Sequence, residues 1–190
     1  MRDNPFKITD KMVLEILKES SKAMKFFINE FKNKYDVKLN GKILSETFSN
    51  LLEQISAKIF TKYLGYEVKK AKSDNDPDLT FTKINLPMEI KVTSGQVWRG
   101  GEFSKRASYH LMVSRNDDFD EFFVALVNMG KGNGLWISAM QQGKNYYAPS
   151  FKKDQIFELK DKIQIFFGDV IKNSKGTIKL VRKTINQQNS

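Results

Sequence analysis

Asp78, Glu89 and Lys91 are the residues of this chain whose types and spacing can do chemistry, with ten residues between the two carboxylates and one between Glu89 and the lysine. Side chains alternate between the two faces of a strand, so Glu89, Lys91 and Thr93 share one face while Met88, Ile90 and Val92 take the other. The run before the connector Lys83, Ile84, Asn85 alternates in the same way. Leu79 and Phe81 fall on an apolar face, and Asp78, Thr80 and Thr82 on a polar one. Paired as a hairpin, the two runs set Asp78 beside Glu89 and Lys91, the latter two about 7 Å apart along their strand. Folding asks for no charge on that polar face. Chemistry does, because Mg2+ prefers hard oxygen ligands and needs only one or two carboxylates when substrate phosphate and water complete its shell. A metal so held makes a nucleophilic hydroxide and neutralises charge in a phosphoryl transition state. A lysine two residues beyond the second carboxylate can orient or activate the attacking water.

Two helices and a strand must carry this hairpin. Asp10 can cap a helix running to Tyr35, with Val13, Ile16, Leu17, Met24, Phe27, Ile28 and Phe31 as its apolar stripe. After a linker, 36–42, a second helix covers Ile43 to Leu64, buries Leu44, Phe48, Leu51, Leu52, Ile55, Ile59 and Tyr63, and stops at Gly65. Glu46 and Glu53 lie two turns apart on one face of that helix. Tyr66 to Lys70 reads as the first strand, and Ala71 to Pro77 as the loop that delivers Asp78.

The pattern Pro77-Asp78, ten residues, then Glu89-Ile90-Lys91, behind a helix ending Leu64-Gly65-Tyr66, resembles the signature of the PD-(D/E)xK nuclease superfamily. Within it the chain looks most like a type II restriction endonuclease. The resemblance implies an α/β fold, a central mixed β-sheet flanked by helices, with an N-terminal helical segment. It implies one or two Mg2+ ions at Asp78, Glu89 and Ile90, with Lys91 on the attacking water. Glu53 would be a further acidic residue brought in by the helix, with Glu46 in reserve. The expected activity is sequence-specific hydrolysis of double-stranded DNA leaving 5′-phosphates. A homodimer is expected, since two-fold symmetry matches a palindromic site, although some relatives act as monomers. The layout that follows is one nuclease domain over 1–190, made of an N-terminal helix (1–40), a catalytic core (43–140) and a C-terminal extension (141–190).

DNA contacts are expected directly after the catalytic strand, at Thr93, Ser94, Gln96, Trp98, Arg99, Lys105 and Arg106. Their amide, aromatic and cationic groups are of the kind that read base edges or clamp phosphates. The net charge of +10 fits a polyanionic partner. With 190 residues, 40% of them hydrophobic and fifteen of them Phe, the chain has material for one substantial core. Cysteine is absent, which excludes disulfides and thiolate metal sites. The sequence carries no apolar run long enough to cross a bilayer, and a cytoplasmic protein is expected.

Other chemistries find less support. The lone histidine, His110, lies in a strand-like run, Tyr109 to Val113, and no nucleophile elbow accompanies it. Gly130 to Gly134 lacks the lysine and hydroxyl ending of a phosphate loop and reads as a hairpin loop between strands at Phe122 to Asn128 and Leu135 to Ala139. Periodicity leaves 157–171 open between strand and helix, and Gly176 to Ile185 reads as one last strand before a polar tail. Two further functions stay open: a repair or junction nuclease that recognises DNA shape, and a non-catalytic DNA-binding module in which Asp78, Glu89 and Lys91 are a surface ion-pair cluster.

Overall fold

The computed structural model describes residues 4–73, 76–99, 107–130, 150–159 and 162–185. The first helix, α1 (Asp10–Tyr35), starts where expected but is capped by Thr9, whose extended backbone lets its hydroxyl accept the Met12 N–H. Asp10 instead occupies the first turn, where its charge meets the positive end of the helix dipole. The second helix, α2 (Gly41–Leu64), begins two residues before Ile43, because Asn40 accepts from the Ile43 N–H at 3.0 Å. Gly65 ends it at φ +70, a conformation that costs glycine little.

Eleven strands and a short third helix follow among the described residues: β1 (Val68–Lys70), β2 (Leu79–Phe81), β3 (Leu86–Thr93), β4 (Val97–Arg99), β5 (Tyr109–Arg115), β6 (Glu121–Asn128), β7 (Ser150–Lys152), α3 (Lys153–Glu158), β8 (Ile163–Phe167), β9 (Asp169–Lys172), β10 (Ile178–Val181) and β11 (Lys183–Thr184). Seven strands form the main sheet in the order β1-β2-β3-β5-β6, with β8 and β11 both pairing β6. The β3–β5 ladder is parallel and the others of this sheet are antiparallel. The fold is therefore α/β with a mixed central sheet and an N-terminal helical segment.

Strand alternation sends apolar residues to both faces. Met88, Ile90, Leu111, Val113, Val124 and Leu126 join the cluster that includes Ile16 and Leu17 of α1 and Phe48, Leu52 and Phe60 of α2. Met112, Phe123, Ala125 and Val127 pack on the other face with Trp98, Phe151, Ile156 and Leu180. Complete burial of each such side chain contributes about 1.5–3 kcal/mol. Since β6 feeds both clusters, it reads as a nearly continuous apolar run.

The parallel β3–β5 pair needs a crossover. Within it, β4 pairs antiparallel with β7, and Trp98 is laid against the second face. The ambiguity over 157–171 resolves into the end of α3, the strand β8, and β9 beyond Gly168 at φ +85. The single strand expected over Gly176 to Ile185 is two: β10 pairs β9, β11 pairs β6, and Arg182 stands at the break. The chain there changes ladder partner, and its buried positions change face: Leu180 joins one cluster and Ile185 the other. The strand expected at 135–139 and residues 131–134 of the glycine-rich loop lie outside the described residues. Among the described residues no helix is long and apolar enough to cross a membrane.

Candidate active site

The hairpin forms with Leu79 opposite Met88 and Phe81 opposite Leu86, its turn spanning 82–85 and so taking in Thr82 besides the expected connector Lys83, Ile84, Asn85. Since β2 begins only at Leu79, the edge of β3 beyond Met88 meets no strand on that side. Asp78 fills the gap, its Oδ2 accepting the Ile90 N–H at 2.7 Å. The N–H and C=O of one strand residue point to the same edge. The Ile90 carbonyl therefore turns toward the side where Asp78 lies and supplies a main-chain oxygen there.

Lys91 closes the group. Its Nζ stands 2.6 Å from Glu89 Oε2 and 3.5 Å from Asp78 Oδ2. The Glu89 side chain is only 4% exposed, against 18% for Lys91 and 21% for Asp78. From α2 comes Glu53, paired with Lys70 of β1 at 3.7 Å. Glu46 points away, exposed and paired with Lys42. Between the two candidate glutamates the structure brings Glu53, and not Glu46, to the other carboxylates.

Three carboxylates, Asp78, Glu89 and Glu53, thus share two ammonium groups, Lys91 and Lys70, an excess of one negative charge when all are ionised. The pKa values register that excess. Burial, and next the charge of Asp78, push Glu53 up to about 7 against the opposing pull of Lys70 and Lys91. Glu89 is likewise held above its ordinary value, first by burial and then by Asp78, although Lys91 pulls it down. Burial would lower Lys91, but Asp78 and Glu89 more than offset it, so its pKa lies above the ordinary lysine value.

Among the described residues no three His, Cys, Asp or Glu side chains form a ready-made metal cage. The donor set on offer is two adjacent carboxylates and the Ile90 main-chain oxygen, all hard. That set fits a magnesium ion, which draws its remaining ligands from water and substrate phosphate. A divalent cation there would also relieve the excess negative charge.

Because the folded-state pKa of Glu53 is raised, its contribution to stability is intact below the ordinary value of 4.5 and is lost as pH climbs through about 7. Glu53→Gln is expected to flatten the stability profile across that window. Urea midpoints measured against pH in metal-free buffer check this, and parallel profiles for the two proteins would show that Glu53 titrates normally.

The residues expected to touch DNA separate into distinct environments. Ser94, Gln96 and Arg99 are exposed, and Thr93 is half-buried with its hydroxyl accepting the Gly95 N–H at 3.1 Å. Lys105 and Arg106 lie outside the described residues. Trp98 corrects the expectation. It is fully buried, its Nε1 donates to the Val113 carbonyl at 2.9 Å, and its ring packs against Phe123 and Phe151. Neither ring face is open to a base. Trp98→Ala should cost about 3–5 kcal/mol of stability, measured by chemical denaturation. A loss within about 0.5 kcal/mol, as at ordinary surface sites, would mean that the ring is not in the core.

Sequence reasoning missed Lys70 and Arg182. The register sets Lys70 opposite Leu79, next to Asp78, but that pairing is invisible until β1 and β2 are aligned. His110 is buried in β5, as its strand-like surroundings suggest.

No protein-family model matches the chain, and no curated protein matches it.

Proposed function

We propose that the chain is a Mg2+-dependent endonuclease of double-stranded DNA, a PD-(D/E)xK nuclease acting in the manner of a type II restriction enzyme in the cytoplasm. The observation that carries this reading is the convergence of Asp78, Glu89 and Lys91 around the Ile90 main chain, at the open end of β2. A structural ion-pair cluster has no need of excess, partly buried carboxylates, whose cost falls on stability. The net charge of +10 adds attraction for a phosphate backbone.

Asp78, Glu89 and the Ile90 carbonyl would hold the ion, and Glu53 adds negative charge behind them. An ion held there would supply an activated water and charge neutralisation at the phosphate. Lys91 acts as a donor and not as a base. Its raised pKa keeps the ammonium protonated at neutral pH, so it orients the water oxygen and offers charge to the phosphate. The water oxygen bonds to phosphorus as the bond from phosphorus to the 3′-oxygen breaks, leaving a 5′-phosphate and a 3′-hydroxyl. Ser94, Gln96 and Arg99, which follow β3 and are exposed, would meet the neighbouring duplex. Two copies related by a two-fold axis would cut both strands.

The test is incubation of the protein with a long mixed-sequence duplex, with and without Mg2+, followed by electrophoresis. Discrete fragments only with Mg2+ support a sequence-specific endonuclease, and mapping their ends gives the site. A smear points to a nuclease that reads structure. Intact DNA in both lanes, with folded protein, removes the catalytic reading in favour of a binding module.

A further inference from the structure

The turn that follows β3 is held from a distant part of the chain. At Ser94 and Gly95 the main chain leaves the sheet, and its carbonyl oxygens find no ladder partner. Arg182, at the break between β10 and β11, meets both: its Nη2 donates to the Ser94 carbonyl at 2.5 Å and to the Gly95 carbonyl at 3.0 Å. The same guanidinium reaches Ser114 Oγ from Nε at 3.0 Å and from Nη2 at 2.9 Å. Ser114 Oγ in turn donates to the Gly95 carbonyl at 2.8 Å. The Gly95 N–H is taken by Thr93 Oγ1, and the Gln96 carbonyl accepts from the Lys153 N–H at 3.3 Å. These main-chain bonds of the turn run inward to Thr93, Ser114, Lys153 and Arg182, while Ser94 and Gln96 stay exposed.

We infer that Arg182 is a positioning residue, a strut that fixes the 94–96 turn so that Ser94 and Gln96 are presented to DNA at a set distance beyond Lys91. Ser94 follows Lys91 by three residues, roughly 10 Å of extended chain at most. The planar fork of arginine matters, because one group must serve Ser114 and two carbonyl oxygens at once. The strut itself stands on geometry. Only its consequence for DNA rests on the endonuclease reading.

The test uses Arg182→Ala, Arg182→Lys and Ser114→Ala in the full chain, with two readouts. The first is amide hydrogen exchange without DNA. Exchange across 94–97 should quicken about tenfold or more in Arg182→Ala, with α1 and α2 unchanged. Arg182→Lys, which keeps the charge and loses the fork, should loosen the turn nearly as much. Unchanged exchange in the alanine variant, or full protection by lysine, would overturn the strut. Should Arg182→Ala fail to fold, Ser114→Ala removes the hydroxyl that holds the guanidinium and donates to the Gly95 carbonyl. Exchange across 94–97 should then quicken in the same direction but by less, because the direct bonds from Nη2 remain; unchanged exchange would again count against the strut. The second readout is cleavage: KM for duplex should rise about tenfold while kcat stays within about twofold, because Asp78, Glu89 and Lys91 are untouched. A fall in kcat at constant KM would overturn the presenting role. If the unaltered protein cuts no duplex, the endonuclease reading fails, and the exchange data still judge the strut.

Discussion

Asp78→Asn is expected to lower cleavage by about a thousandfold and to leave duplex affinity equal or higher. Asparagine keeps an oxygen for the Ile90 N–H, so the short β2 and the edge of β3 stay in place. What goes is one of the two carboxylates that would hold the ion, with its share of the negative field. Metal stabilisation of a phosphoryl transition state amounts to several kcal/mol, and about 4 kcal/mol is a factor of a thousand. Affinity moves the other way, because a negative charge leaves the neighbourhood of the phosphate backbone. Single-turnover cleavage in Mg2+ and equilibrium binding at fixed salt without metal check the two halves. Unchanged cleavage would take Asp78 out of the mechanism, and weakened binding with it would assign the residue to DNA contact instead. The same substitution should lower the pKa of Glu53, since the charge of Asp78 is the second largest cause holding it up. Titration of Glu53 by NMR therefore reports the coupling even in a protein that no longer cuts.

The hairpin was legible because its information is local. Asp78 and Ile90 are twelve residues apart, the apolar and polar residues alternate on both strands, and Leu79, Phe81, Met88 and Ile90 are buried in the core while Val92 packs against it half-buried. The C-terminal end of α2 was legible for a similar reason, since Gly65 supplies the stop. Its start slipped by two residues because Asn40 caps ahead of the first apolar position. At α1 two capping types, Thr9 and Asp10, stand side by side, and only the backbone angle separates them.

What required the third dimension was which of two equivalent groups faces inward. Glu46 and Glu53 share a helix face, and nothing local distinguishes them. The choice falls to the packing of α2 against β1, which leaves Glu53 near Lys70 and Glu46 in solvent. Trp98 was readable in principle. In Val97-Trp98-Arg99 the flanking residues are exposed and the middle one buried, a period of two that a crossover segment obscures. Arg182 could not be read, because the change of ladder partner from β9 to β6 across it is a long-range pairing that the local sequence does not carry.

Lys91→Met should abolish cleavage and also destabilise the fold by about 3–5 kcal/mol at alkaline pH, the usual cost of breaking a buried pair from one side. Methionine fills the volume, so the loss is one of charge and not of packing. It leaves Glu89, almost fully buried, facing Asp78 without its ammonium at 2.6 Å. Glu89 already sits above its ordinary pKa through burial and the charge of Asp78, and losing Lys91 raises it further. A carboxyl whose folded-state pKa is raised is at no disadvantage while protonated and loses stability as pH rises through that value. The deficit should therefore be smallest at acid pH, where Glu89 is protonated, and be full at alkaline pH, above its raised pKa. Mg2+ should stabilise the variant more than the unaltered protein, because the lysine no longer competes for the same oxygens and binding to the native state alone shifts unfolding. Denaturant midpoints at both pH values, with and without Mg2+, separate the causes. A deficit equal at both pH values and indifferent to Mg2+ would mean that Lys91 stabilises by filling space. A deficit that depends on pH and is repaired by the cation would identify Asp78 and Glu89 as a cation site that the lysine of this strand otherwise occupies.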